Sequence, residues 1–307
     1  MIGADAATNI LSVDVEDWFH ILEVEGGLTR EQWPRLESRV AANTDALLGM
    51  FADAGATATF FVVGWIAERH SHLVRRIAEA GHEIGSHSYS HEVIRAHTRE
   101  SLAEDVGSSR KLLEDLAGRP VIGFRAPGGS ITPATVWAFD VLVEQGYAYD
   151  SSLCPGISSH GGYPSPFYGP HLVRCDSGEL AEIPSSTAAL GGRRVPYAGG
   201  GYLRLFPYAL IRRCIRDDNR AGRPANVYVH PREIDPGQPR MELPWRRSFK
   251  YYVGLRSTRE KLRRILHEHQ FVSAAAWLAE HAGELAAAVL DVRDPAARGP
   301  QSRRRTA

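Results

Sequence analysis

Residues 57–63 read TATFFVV. Every position but Ala58 is β-branched or aromatic, and the run is short and apolar throughout, which predicts a strand buried on both faces. The flanks support this. Residues 38–54 place Val40, Leu47, Leu48 and Phe51 on one helical face and stop at Gly55. Residues 73–80 repeat the pattern and stop at Gly81, and residues 83–86 are again strand-like. Strand, helix, strand in this order predicts a parallel pair with a helical crossover.

The same alternation extends in both directions. Residues 10–13 read as a strand. Residues 98–117 read as a helix opened by Thr98-x-x-Ser101, residues 121–124 as a strand, Thr132-Pro133 as a helix start, and residues 147–150 as a strand. After residue 204, helix 207–221 and strand 225–229 continue it, followed by helix 257–267 and a last regular stretch, 271–280. Six or more βα units in 307 residues predict an α/β fold whose sheet is closed or nearly closed. Residues 151–204 are rich in Gly, Pro and Ser and read as a long loop system. The expected division is a barrel over 1–230, a C-terminal extension over 231–285 packed on it, and a disordered tail over 286–307.

Composition narrows the function. Hydrophobic residues make up 43% and charged residues 23%, ordinary for a globular protein. Lys+Arg and Asp+Glu are 36 each, so the balanced charge excludes a general nucleic-acid binder. Three cysteines without a CxxC pair exclude a disulfide framework. The first residues lack a signal-peptide pattern, and no apolar run is long enough to span a bilayer, so the expected location is cytoplasmic.

Four strand ends carry chemistry. In LSVDVEDW, residues 11–18, Asp14 and Glu16 share a face because strand side chains alternate. In GSHSYSH, residues 85–91, His87 and His91 are four apart, a spacing that on a helical turn stacks both rings to chelate one ion. In GFRAPGG, residues 123–129, Arg125 puts a fixed cation beside exposed backbone N–H groups. In VYVHPRE, residues 227–233, Pro231 ends the strand and leaves His230 at its rim. The pairs His70/His72 and His267/His269 diverge on a helix and read as surface residues. Taken singly, each stretch is also compatible with a solvated turn or a satisfied core histidine. Together they supply the parts of one hydrolytic site.

From Leu11 to His230 these motifs resemble the polysaccharide deacetylases (NodB homology, carbohydrate esterase family 4). The stretches DVEDWFH, YDSSLCP, GGGYLRLFPY and VHPREIDPGQPR resemble the subgroup of exosortase-linked exopolysaccharide loci, which carries a C-terminal extension. The resemblance implies a deformed (β/α) barrel of about seven strands and a divalent metal, first of all Zn2+. It implies Glu16, His87 and His91 as ligands with Asp17 as the rival acidic ligand, and Asp14 as base with Arg125 orienting it. Gly128 would face the oxyanion with its N–H, and His230 would be the general acid. Asp150 falls near the motif whose aspartate orients that acid, although Asp-Ser-Ser-Leu-Cys replaces the usual Asp-x-x-Trp.

The implied substrate is an N-acetylhexosamine polysaccharide or a lipid-linked oligosaccharide. Trp18, Tyr163, Tyr168, Tyr197 and Tyr202, with Trp65 more distant, are the candidates to stack on sugar rings or to pack the barrel mouth. Two other classes fit less of the pattern: a metal-dependent amidohydrolase acting on a small cyclic amide or ureide, and a non-catalytic carbohydrate-binding protein.

Overall fold

The computed structural model describes residues 7–22, 28–156, 158 and 161–298. Twelve strands occur among them: β1 (Thr8–Val15), β2 (Thr59–Val62), β3 (Glu83–Ser86), β4 (Gly123–Phe124), β5 (Tyr149–Asp150), β6 (His171–Cys175), β7 (Gly178–Glu182), β8 (Thr187–Leu190), β9 (Arg193–Pro196), β10 (Asn226–Val229), β11 (Gln270–Val272) and β12 (Val289–Asp291). Seven of them run parallel in the order β10-β1-β2-β3-β4-β5-β7. This is an α/β fold of the expected class and strand number.

The ladder does not close on itself. Between β7 and β10 the seam is bridged by a side chain: the amide of Asn226 donates to the carbonyls of Ile183 and Pro184 at 3.3 and 3.2 Å. Segment 198–199 lies against β10, with Tyr228 N–H donating to Ala198 at 3.0 Å.

Alternation along β2 divides the interior. Phe60 and Val62 join the large apolar core under the helices, while Phe61 joins Ile10, Tyr149, Ala181, Ile183 and Trp277 in a second cluster inside the arc. Complete burial of a side chain such as Phe60 or Leu11 contributes about 1.5–3 kcal/mol. Helix Arg99–Ala117 begins with the expected box, Thr98 Oγ1 accepting from Ser101 N–H at 3.2 Å.

Three expectations are corrected here. The 151–204 segment is not all loop: β6 and β7 form a hairpin on the sheet, and β8 and β9 form a second. The helix expected from Thr132-Pro133 starts only at Trp137, because Thr132 and Thr135 first close a hydrogen-bonded turn. The tail expected to lack structure from 286 contributes β12, paired with β6, and a short 3-10 turn Pro295–Arg298; residues 299–307 lie outside those described.

The residues expected to form an extension are woven into the barrel. β11 pairs with the first residues of β1, and helix Ala274–Leu285 follows it. The N–H groups of Ala274 and Ala275 donate to Thr59 Oγ1 at 2.8 Å and Glu83 Oε2 at 2.9 Å, at the starts of β2 and β3. The helix therefore closes the floor of the arc, opposite the ends where the chemistry-bearing residues sit.

Candidate functional site

Register collects the site. Val15, Val62, Ser86, Phe124, Asp150 and Glu182 form one row across five strand pairs. The next row up contains Glu16, His87 and Arg125. On the other side of β1, Val13 pairs with Val229, which sets Asp14 level with His230. Parallel strands deliver these residues to one rim, the carboxyl ends of the sheet, where such folds build sites.

Oε1 of Glu16 lies 3.1 Å from Nε2 of His87 and 2.9 Å from Nε2 of His91, and all three residues are buried. Nδ1 of His87 is 2.7 Å from the Arg125 carbonyl oxygen. That oxygen only accepts, so in neutral His87 the hydrogen sits on Nδ1 and Nε2 presents a lone pair. A lone pair and a carboxylate oxygen facing each other need a cation between them. Two imidazole nitrogens and a carboxylate oxygen form a donor set typical of zinc, whose bond lengths imply ligand separations of about 3.3 Å. The residues present fit a divalent metal. Burial pushes the Glu16 carboxyl up, but the charges of His91 and His230 outweigh it and hold the group well below the usual range.

The histidines do not converge on a helix, as their spacing suggested. Residues 88–91 form a turn in which Ser88 and His91 have φ of 59° and 58°, the only non-glycine residues in the left-handed region among those described. Such residues cost about 1 kcal/mol or more each, so the turn must be held from outside. Asp105 holds it: its carboxylate accepts from Tyr89 N–H at 2.7 Å and Ser90 N–H at 2.9 Å. Gly64 lets it approach, since a Cβ there would sit 2.5 Å from the Tyr89 ring.

Asp14 accepts from Arg125 Nη1 at 2.6 Å, and its second oxygen lies 3.8 Å from Nε2 of His230. Arg125 is fixed by Ser12 and Ser151 and stacks over the Phe61 ring, 4.3 Å from its centroid. Behind His230, Glu233 Oε2 lies 3.4 Å from Nδ1, and Glu233 in turn accepts from the buried Arg204 at 2.9 Å. Burial lowers the His230 pKa, but Glu16, Glu233 and Asp14 together push it up to about 9, while His230, Arg204 and Arg232 overcome burial to bring Glu233 down to about 2. Asp14, Glu16, Arg125, Gly128, Tyr202 and His230 border one cavity of about 380 Å3. Gly128 lies in a turn with φ of 66°.

Several expected roles do not fit the geometry. Asp17 faces away from the histidines: it accepts from Ser38 Oγ at 2.6 Å and from the N–H groups of Arg39 and Val40, capping helix Val40–Ala54. Both of its oxygens are engaged in these hydrogen bonds, and it stands outside the Glu16–His87–His91 group. Asp150 accepts from Ser152 Oγ at 2.6 Å and neighbours Glu182, so the carboxylate beside His230 is Glu233 instead.

The aromatic candidates divide by burial. Trp18 is buried with its Nε1–H on the Glu37 carbonyl, and Tyr163, Tyr197 and Trp65 are buried too. Side chains enclosed in this way cannot offer a face to a sugar. Tyr168 stacks on the Arg194 guanidinium, and Tyr202 borders the cavity.

Glu233 and His20 border the cavity and Asp105 braces the 88–91 turn, and the sequence assigned no role to any of them. His20 is 3% exposed and borders the cavity. Its Nδ1 accepts from Asp17 N–H at 3.1 Å, which leaves the hydrogen on Nε2, and that atom has no partner among the described residues.

Two families match along the chain. Residues 28–149 match the family described as Polysaccharide deacetylase, and residues 151–279 match one described as Domain of unknown function (DUF3473). A peptidoglycan-N-acetylglucosamine deacetylase of Bacillus cereus is 34% identical over 104 residues, 34% of this chain and 47% of that protein. A chitooligosaccharide deacetylase of Azorhizobium caulinodans is 32% identical over 100 residues, 32% of this chain and 45% of that protein. The chain thus spans less than half the length of these curated relatives. Among solved structures, a candidate polysaccharide deacetylase from Mycobacterium smegmatis aligns with a TM-score of 0.61 at 22% identity, covering 93% of this chain and 94% of that one. PuuE allantoinase aligns with a TM-score of 0.57 at 14% identity, covering 91% and 92%. These two likenesses establish the fold alone.

Proposed function

We propose, from the premise that residues 28–149 belong to the polysaccharide deacetylase family, that this protein is a metal-dependent hydrolase removing N-acetyl groups from N-acetylhexosamine units of a polysaccharide. The observation that carries the reading is the meeting of Glu16, His87 and His91 at about 3 Å beside an Arg-bound aspartate and a rim histidine.

Glu16, His87 and His91 would hold the metal, with Zn2+ the first choice for this donor set. When bound, it supplies Lewis acidity toward water and toward an amide carbonyl. Asp14 takes the proton of the attacking water. One of its oxygens is committed to Arg125, so the other receives the proton, and Arg125 keeps the carboxylate oriented. The Gly128 N–H faces the oxygen on which negative charge develops. His230 gives its Nε2 proton to the nitrogen as the amide C–N bond breaks, since an amine anion does not depart unprotonated; Glu233 steadies the ring. The products are acetate and a free amino sugar. We infer a substrate in exopolysaccharide synthesis from the stretches DVEDWFH, YDSSLCP, GGGYLRLFPY and VHPREIDPGQPR and their resemblance to that subgroup.

Acetate release from N-acetylglucosamine oligomers, before and after metal removal and zinc reloading, tests the reading. Release that appears only with metal supports it. If the zinc-loaded protein releases no acetate from any N-acetylhexosamine oligomer or polymer yet opens a cyclic ureide, the proposal is wrong.

A further inference from the structure

Three of the described arginines border the cavity that Asp14 and His230 share: Arg125, Arg204 and Arg232. Two of them meet an acid. Arg125 lies 2.6 Å from Asp14, and Arg204 lies 2.9 Å from Glu233. Arg232 meets none. It is 7% exposed, yet its guanidinium makes no ion pair and no hydrogen bond with any described residue, and its Nη1 is enclosed. Beside it is the ring of Tyr251, whose centroid lies 5.4 Å from Cζ. The acids of this region are already committed. Glu233, next in the chain, gives Oε1 to Arg204 and Oε2 to the backbone N–H of His230. Asp235 accepts from Arg39 and Asn43, and Glu16 faces His87 and His91.

A buried charge without a partner is costly, and a guanidinium cannot escape the cost by losing its proton. An anion arriving in the cavity would meet it. The planar group with its N–H donors matches the paired oxygens of a carboxylate or a phosphate. The backbone holds Arg232 in place for this. It lies in the 3-10 turn Pro231–Ile234 that follows His230, and its carbonyl accepts from Gln238 Nε2 at 2.8 Å. The turn that sets His230 therefore also sets Arg232, two residues on. The cavity of about 380 Å3 is of small-ligand size, so an anion at Arg232 and an acetamide beside His230 belong to the same sugar or to adjoining ones.

We propose that Arg232 binds an anionic group, carboxylate or phosphate, carried by the substrate on or next to the N-acetylhexosamine. The substrate is then an acidic glycan, bearing a uronic acid or a glycosyl phosphate. The sugar in this statement rests on the deacetylase reading; the charge rests on Arg232.

Calorimetric titration with matched pairs is the test, on the full zinc-loaded chain carrying His230→Ala so that binding is read without turnover. An oligomer alternating glucuronic acid and N-acetylglucosamine is set against the same oligomer with its carboxylates reduced to alcohols. N-acetylglucosamine 1-phosphate is set against N-acetylglucosamine. The anionic member of at least one pair should bind about tenfold or more tighter. A response from the carboxylate pair alone identifies an acidic sugar, and from the phosphate pair alone a glycosyl phosphate. Adding Arg232→Gln should bring the responding pair to within about twofold, with bound metal and melting temperature no lower than before. Arg232→Lys keeps a cation without the fork and should retain part of the preference. Equal affinities within both pairs overturn the proposal, as does an undiminished preference in Arg232→Gln. Loss of the preference together with the metal would make Arg232 a support of the metal site and overturns it too. Acetate release by the parent chain separates the two readings. Anion preference without release from any member refutes the deacetylase reading alone, and release without anion preference refutes this inference alone.

Discussion

Oε2 of Glu233 lies 3.4 Å from Nδ1 of His230, three residues away along the chain, with the turn at Pro231 folding the two together. This sets a buried carboxylate behind the ring that faces Asp14. Glu233→Gln keeps the shape and removes the charge. It should lower kcat while bound metal stays at the parent level, by less than the roughly 10²–10⁴-fold expected from removing the acid itself with His230→Ala. Steady-state kinetics beside elemental analysis decides this; unchanged kcat would leave Glu233 only a partner for Arg204.

Ligand identity is separable by metal content. His87→Ala, His91→Ala and Glu16→Ala should each lose the bound metal. Asp17→Ala should keep it and instead destabilise the fold by about 1 kcal/mol, the usual cost of an uncapped helix start. A metal-free Asp17→Ala protein with an intact fold would reverse this assignment.

Asp105 touches no candidate ligand side chain, yet it secures the left-handed turn that carries His91. Asp105→Ala releases two charge-assisted hydrogen bonds. It should destabilise the protein by about 2 kcal/mol and weaken metal binding about tenfold or more. Competition with a chelator gives the affinity, and thermal melting gives the stability. Unaltered metal affinity would show that the turn holds without it.

Glu182 yields a prediction about pH. Burial, and then the neighbouring Asp150, push its carboxyl well above the ordinary value of 4.5. Between that value and the raised one, the native protein keeps a proton that the unfolded chain releases. Native protein then binds more protons than unfolded protein, so stability falls as pH rises through this window. Glu182→Gln keeps an acceptor for Leu153 N–H and removes the charge. It should raise Tm at pH 7 and flatten the decline of Tm above about pH 4.5. An equally steep decline in the variant would place its source elsewhere.

Much of this was legible along the chain. Strand runs closed by glycines, such as residues 57–63 after Gly55, exposed the βα order, and the motifs at 14–16, 87–91, 125 and 230 meet at one rim. What escaped depends on partners distant in sequence. The β6–β7 hairpin lies within the Gly-, Pro- and Ser-rich segment 151–204, and its strand character comes from docking on β5. Trp18 and Tyr163 look like sugar platforms until the core encloses them. Asp105 looks like any solvated helix residue until the 88–91 turn leans on it. Glu233 could have been noticed, since its place three residues after His230, beyond a proline, sets the two on one short turn.

The floor of the arc has a consequence for how the chain comes to be folded. β1 is among the first strands synthesised, yet its opening residues pair with Gln270–Val272, roughly 260 positions later, and helix Ala274–Leu285 seals the apolar interior beneath Ile10 and Phe61. A nascent chain must therefore carry an unsealed interior until this late segment has left the ribosome. Contacts of such long span form slowly, and the waiting intermediate presents apolar surface on which chains associate. Docking of helix Ala274–Leu285 is the event that removes this surface from water.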